Sequence, residues 1–223
     1  PAVAIVVNSP GGSAVQSRLI SKRIRDLADE HRKTVLVFVE DAAASGGYFI
    51  AVAGDEVIAD PSSIVGSIGV IFAGFGFVEA INKLGIERRV HTAGKNKSTM
   101  DPFLPEKPED VERIKALELD VHRVFIAWVK ARRGDRLKAS DDELFTGEFW
   151  SGVRGLSLGL VDAVGEFRET LRARYGEDVK LKLIEPRRPW FALPFPGFPA
   201  RAGLGAEAIA ALEDRALWAR FGL

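Results

Sequence analysis

The amino-acid sequence predicts an α/β protein: a mainly parallel β-sheet flanked by helices. Three observations carry the prediction. Residues 2–7 and 34–39 are short, continuous apolar runs of the kind that form buried parallel strands. Between them, residues 13–30 set Val15, Leu19, Ile20, Ile24 and Leu27 at helical spacing, with Arg18, Lys22, Arg25 and Asp29 interspersed. Strand, amphipathic helix, strand is the unit that builds parallel sheets through right-handed crossovers.

The elements follow in order. Asn8-Ser-Pro-Gly-Gly12 breaks the first strand, and its proline and glycines make a turn that leaves backbone N–H groups free. After the second strand comes Asp41-Ala-Ala-Ala-Ser-Gly-Gly-Tyr48, then the apolar residues 49–53, read as one or two helical turns. A strand is expected at residues 56–60, then an apolar stretch rich in small residues to Ile71, and a helix over 77–84 stopped by Gly85. Residues 86–92 read as another strand and 93–103 as a loop. A long helix is expected over 108–133, with Pro108 in its first turn and Val111, Ile114, Leu117, Val121, Val124, Phe125 and Trp128 on one face. A short helix at 166–175 and a last strand at 179–184 complete a domain of residues 1–184. Residues 185–203 alternate prolines with Trp190, Phe191, Phe195 and Phe198, a pattern incompatible with helix or central strand. Residues 204–223 form a closing unit whose helix is expected over 206–221.

Composition narrows the function. Lys+Arg and Asp+Glu both number 31, so no net charge points to a nucleic-acid surface. There is no cysteine, which excludes disulfides and thiolate metal sites, and His31, His91 and His122 have no zinc-like spacing. No metal or cofactor is expected. No apolar run reaches the roughly 18 residues of a membrane span. The chain opens at Pro1 directly on a strand-like run, so further residues, with any membrane anchor, are expected to precede it.

Ser45 sits where a strand ends and a helix begins, with three alanines before it and two glycines after it. Helix starts carry unpaired N–H groups that bind an oxyanion as readily as they accept a cap. Serines there are most often N-caps. A nucleophilic serine needs a base in addition. His91 lies in a strand-like run just after Arg88 and Arg89, and His122 reads as surface, so neither recommends itself. Lys95 and Lys97 occupy a glycine-led loop. A lysine acting as base near neutral pH must lose about 3 pH units from the ordinary value, roughly 4–5 kcal/mol. Burial supplies that when the remaining partners are neutral acceptors such as the hydroxyl of Ser67.

Taken together, Asn8-Ser-Pro-Gly-Gly12, Ala44-Ser-Gly-Gly-Tyr48, Gly66-Ser-Ile-Gly-Val70, Gly94-Lys-Asn-Lys-Ser98 with Asp101-Pro-Phe103, and Trp150-Ser-Gly through Gly159-Leu-Val-Asp162 resemble the signal peptide peptidase A (protease IV) family of Ser-Lys peptidases. The pieces occur in the family's order and span residues 1–165. The resemblance implies a Clp protease/crotonase-like fold of stacked ββα units, whose N-terminal ββα portion has no counterpart in this chain. It implies Ser45 as nucleophile, Lys97 as base and Ser67 as the lysine's hydrogen-bond partner. It places the oxyanion hole at the N–H groups of Gly46 and Gly11. Val65, Ile68 and Val70 are candidates for an apolar substrate pocket, or equally for the core. The implied substrates are hydrophobic peptides such as signal-peptide remnants, and the implied location is at a membrane. Some members join lysine and serine across tandem halves, which implies a homo-oligomeric ring with the dyad shared between subunits. The Pro/aromatic stretch and the last helix would then be subunit contacts. A crotonase-like acyl-CoA enzyme and a non-catalytic membrane scaffold are the alternatives.

Overall fold

A computed structural model describes residues 2–184, 211, 212 and 215–223. Strand β1 (Val3–Ser9) leads through the Pro-Gly-Gly turn to helix α1 (Ala14–Glu30), whose N-cap Ser13 accepts a hydrogen bond from the Gln16 N–H. Strand β2 (Val35–Ala44) follows, then α2 (Gly46–Ala51), β3 (Glu56–Ala59) and β4 (Ile64–Gly66). Next come α3 (Val78–Lys83), the long α4 (Pro108–Arg133) and a short 3-10 turn (Gly134–Arg136). The chain continues with α5 (Asp141–Leu144), β5 (Phe149–Ser151), α6 (Gly152–Leu158), β6 (Ala163–Val164) and α7 (Phe167–Tyr175).

The result is a mixed α/β fold with one curled, mainly parallel sheet. Central β2 carries it. Its first half pairs with β1 and β3, its last three residues pair with β4, and all three pairings are parallel. β6 extends the sheet in parallel from β3, and β5 joins β4 as the antiparallel edge. Apolar residues on both faces of β2 explain its continuous apolar reading: Val35, Val37 and Val39 enter the main core, Leu36 and Phe38 a smaller one with Ile58 and Leu171. Strand β2 runs five residues beyond the predicted end, through the three alanines to the residue before Ser45.

Four expectations are corrected. The inward face of α1 is made of Ser17, Ser21 and Ala28, with Ile24 partly buried, while Val15, Leu19 and Ile20 stay 65%, 48% and 45% exposed. The reason is close approach. A Cβ on Gly46 would stand 2.5 Å from the Ser17 hydroxyl, so only small side chains fit between α1 and α2. The N-terminal half of α4 leaves Leu117 and Leu119 exposed, and its burial is concentrated at Phe125 and Val129. Residues 86–92 and 179–184 form no strand, because no described strand offers them a ladder. Residues 185–203, and residues 206–210, 213 and 214 of the predicted last helix, lie outside the described residues. Residues 211, 212 and 215–219 are helical, and the Phe221 ring packs edge-on against Phe149 at the antiparallel edge, with centroids 4.9 Å apart.

Candidate active site

Ser45 occupies the single residue between β2 and α2. Its φ of 50° and ψ of −119° lie outside strand and helix values, and its side chain makes no cap hydrogen bond. It stands at the N-cap position, but its hydroxyl does not cap the helix. The geometry aims a half-buried hydroxyl out of a sharp strand-to-helix turn. The turn is held from both sides. The Ser45 N–H donates to Gly66 O at 2.9 Å, and the Ser45 carbonyl accepts from the Phe49 N–H at 2.9 Å.

The Pro-Gly-Gly turn lies directly against Ser45. Gly11 has φ +138°, a conformation that favours glycine, and a Cβ there would meet Ser45 Cβ at 3.0 Å and Oγ at 3.4 Å. The same Cβ test at Gly46 finds Gly12 N at 3.2 Å, and at Gly47 finds Ser9 O at 2.6 Å. Glycines at 46 and 47 are what allow β1 and its turn to close over α2. The Gly11 N–H donates to Ser9 Oγ at a long 3.3 Å. Asn8 and Asp41 brace the turn from below: Asn8 Nδ2 donates to Asp41 Oδ2 at 2.8 Å, and the Ala42 N–H donates to Asn8 Oδ1 at 3.2 Å.

Ser67 follows the residue that pairs with Ser45. It is 6% exposed, has φ 53°, and its N–H donates to Glu148 O at 2.7 Å. Ser45, Gly46, Gly11 and Ser67 are thus gathered around one strand end. Lys97 stands apart. It is exposed in a turn where its N–H donates to Gly94 O at 3.2 Å, and Lys95 is exposed beside it. The surroundings of Lys97 within one chain lack the burial that a neutral lysine requires. Val65 and Ile68 are fully buried in the main core. Val70, 37% exposed, is the member of that trio that reaches the cavity beside Ser45.

That cavity, about 370 Å³, runs between α1, α2, α4 and residues 69–70. Val15, Val70, Val121, Val124, Phe49 and Phe125 give it an apolar wall, with Ser45 and Gly46 at one side. Val15 and Val124, out of the core, find their role here. Phe49 stacks on Phe125 and Trp128 with centroids 4.8 and 5.9 Å apart, and Trp128 Nε1 donates to Phe49 O at 3.0 Å.

Two supporting groups escaped sequence reading. Tyr48, three residues after Ser45, is fully buried and donates to Leu160 O at 2.7 Å. Burial pushes its phenol far above the ordinary range, so it stays a neutral donor. Beneath it, Arg133, 3% exposed, holds Gly159 O through Nε and Nη2 and reaches Asp162 at 2.6 Å; Arg136 adds a second contact at 3.2 Å. Burial pushes the Asp162 carboxyl up, but the Arg133 hydrogen bond and charge outweigh it and hold the group below the usual carboxylate range. The other is His122, half-buried, with Nε2 2.9 Å from Ile68 O rather than in solvent. The sequence signal for Tyr48 was its place in an otherwise small-residue motif; His122 gave none.

Comparison with known proteins identifies the family. Residues 28–182 match Peptidase family S49. A Brucella abortus protein named Na(+)/H(+) antiporter NhaA is 58% identical over 233 residues, covering 100% of this chain and 32% of that protein. Serine protease SPPA, chloroplastic, of Arabidopsis thaliana is 30% identical over 217 residues, covering 93% of this chain and 31% of its own. Protease 4 of Haemophilus influenzae is 34% identical over 176 residues, covering 76% and 27%. The chain spans about a third of the length of these relatives. The names differ, but the family match covers most of the chain and includes Ser45, Ser67 and Lys97. The chain belongs to peptidase family S49, a family of serine peptidases.

Proposed function

We propose that the protein hydrolyses hydrophobic peptides with Ser45 as nucleophile and Lys97 as base. The observation that carries the reading is the Ser45 turn: strained, uncapped, glycine-packed and open to an apolar cavity. Neutral Lys97 takes the Ser45 Oγ proton as Oγ attacks the peptide carbonyl carbon. Charge then develops on the carbonyl oxygen, where the N–H groups of Gly46 and Gly11 receive it; the long Ser9 bond to Gly11 gives way. The Lys97 ammonium returns the proton to the leaving amine, leaving an acyl-serine. Water, deprotonated by Lys97, releases the acid and restores Ser45. Ser67 accepts a hydrogen bond from the lysine and orients it.

The partner is a second copy. Lys97 lies in the projecting residues 69–107, exposed, while Ser45 is half-buried in a different part of the same chain. Those residues also expose Ile71, Phe72, Phe75 and Phe77, surface that a neighbouring subunit would cover. Docked there, Lys97 gains the burial it needs as a base, and the assembly is a ring. Signal-peptide remnants fit the apolar cavity as substrates, and a membrane location fits such substrates. The acyl-CoA reading requires no reactive serine, so labelling separates the two. A fluorophosphonate should label Ser45 in the wild type and nothing in Ser45→Ala; absence of labelling in assembled, folded protein would overturn the proposal.

The antiporter name belongs to a relative of which this chain matches about a third. Among the described residues no helix is long and apolar enough to cross a membrane.

A further inference from the structure

Residues 68–72 belong to no helix or ladder, and two of them, Gly69 and Val70, form one wall of the Ser45 cavity. The segment's own backbone supplies one short-range bond, from the Gly69 N–H to Ser67 O at 2.9 Å. Two side chains of α4, one helical turn apart, hold it further. His122 Nε2 lies 2.9 Å from Ile68 O, and the Phe72 N–H donates to Glu118 Oε1 at 2.5 Å. Positions i and i+4 share a face of a helix, so both bonds fall on one stretch of chain. Between the two anchors lie Gly69 and Val70, the two wall residues of the cavity. The far side of the segment is closed as well. A Cβ on Gly69 would come within 2.9 Å of Gly147 Cα, so the wall has no room to retreat.

We infer that Glu118 and His122 are positioning residues for substrate selection: they fix the wall formed by Gly69 and Val70, and so the width of the apolar cavity beside Ser45. The inference rests on the peptidase reading for its functional half. Its chemistry is specific about protonation. Ile68 O only accepts, so His122 Nε2 carries the hydrogen, in the neutral ring and in the imidazolium alike. His122 Nε2 therefore acts as a fixed donor to the wall. The same segment begins just after Ser67, so the anchors also steady the residue assigned to orient Lys97.

The test uses the full chain in its assembled form. Hydrogen exchange read by mass spectrometry should show faster exchange at residues 68–72 in His122→Ala and Glu118→Ala, with the α4 amides around positions 125–133 unchanged. His122→Gln and Glu118→Gln keep a donor and an acceptor and should restore wild-type exchange. In peptide cleavage, each alanine variant should raise KM about fivefold, the size expected for one lost hydrogen bond, with kcat changed less. Preference between two peptides that differ only as Ala or Leu at the residue entering the cavity should narrow in the same variants. Unchanged exchange in both alanine variants would overturn the clamp. Faster exchange with unchanged KM and unchanged Ala/Leu preference would overturn its role in selection. A wild type without Ser45-dependent cleavage would instead defeat the peptidase reading, and the role in selection with it, leaving the exchange result to decide the clamp alone.

Discussion

Residues 3–66 and residues 69–107 are built on opposite plans. The first region is a sheet core: the buried part of β2, with β3 and β4 beside it, has residues at or near zero exposure, and every strand is laddered to another. The second region has one six-residue helix with no buried side chain and no strand. It is held by local contacts. Phe77 stacks on Phe103 at 5.5 Å, Arg88 pairs with Asp101 at 3.0 Å, and the Phe77 N–H donates to Pro102 O at 2.6 Å. The Phe103 N–H bond and Arg88 hold the Asp101 carboxyl below the usual range. The proposed nucleophile sits in the first region and the proposed base in the second. Rigidity suits a residue held in a strained conformation, and exposure suits a residue proposed to meet another copy.

The sharpest way to break that comparison is to remove one member from each region. Ser45→Ala and Lys97→Ala should each lower peptide cleavage by about a thousandfold or more while the circular dichroism spectrum stays unchanged. Lys95→Ala should retain wild-type rates; the opposite result for the two lysines would move the base by one turn position. Activity should rise with pH, since only a neutral amine accepts the serine proton.

Next in size is Gly11→Ala. The new Cβ would stand 3.0 Å from Ser45 Cβ at a backbone φ of +138°. The turn must shift, and its N–H leaves the oxyanion position; cleavage should fall about a hundredfold, the order found for loss of one such donor. Binding of an uncleaved peptide to Ser45→Ala protein should change far less in the doubly substituted form.

Much of the first region was legible in the sequence, and for a physical reason. The pattern of β2 is local, as is that of α4, which lies outside the region and whose expected bounds match those found. The strand-to-helix position of Ser45 also followed from the apolar runs at 34–39 and 49–53 on either side of it. What sequence could not show depends on partners distant in the chain. The apolar stripe of α1 reads as core-facing, yet Gly46 and Gly47 bring α2 so close that serines take the inward face. Residues 86–92 have strand composition but no ladder to join. His122 looks like any polar helix residue until Ile68 O is placed opposite it. Of the expected pocket residues, Val70 reaches the cavity while Val65 and Ile68 fill the core, a choice that period-two and small-residue patterns do not make.

Smaller effects sharpen the account within the first region. Ser67→Ala should lower cleavage about tenfold, because it orients and does not react. Asp162→Asn should leave the chemistry of Ser45 nearly intact but remove the partner of buried Arg133, at a cost on the order of 3 kcal/mol in stability. Its sign with pH is fixed. The folded-state pKa of Asp162 is lowered, so its contribution is present above the unfolded value near about 3.9 and is lost as pH falls through the folded value. Urea midpoints measured from pH 7 down to about 3 should drop steeply in the wild type and less in Asp162→Asn.

The central claim is that an exposed lysine of one copy completes the serine site of another. Mixing separates the two residues cleanly. Ser45→Ala protein and Lys97→Ala protein, each inactive alone, are combined under conditions that exchange subunits, and exchange is followed by mass spectrometry. The account predicts recovery of peptide cleavage, because a mixed assembly sets an intact Ser45 beside an intact Lys97. Proven exchange with no recovery, or a fully active monomer by light scattering at the assay concentration, would contradict it.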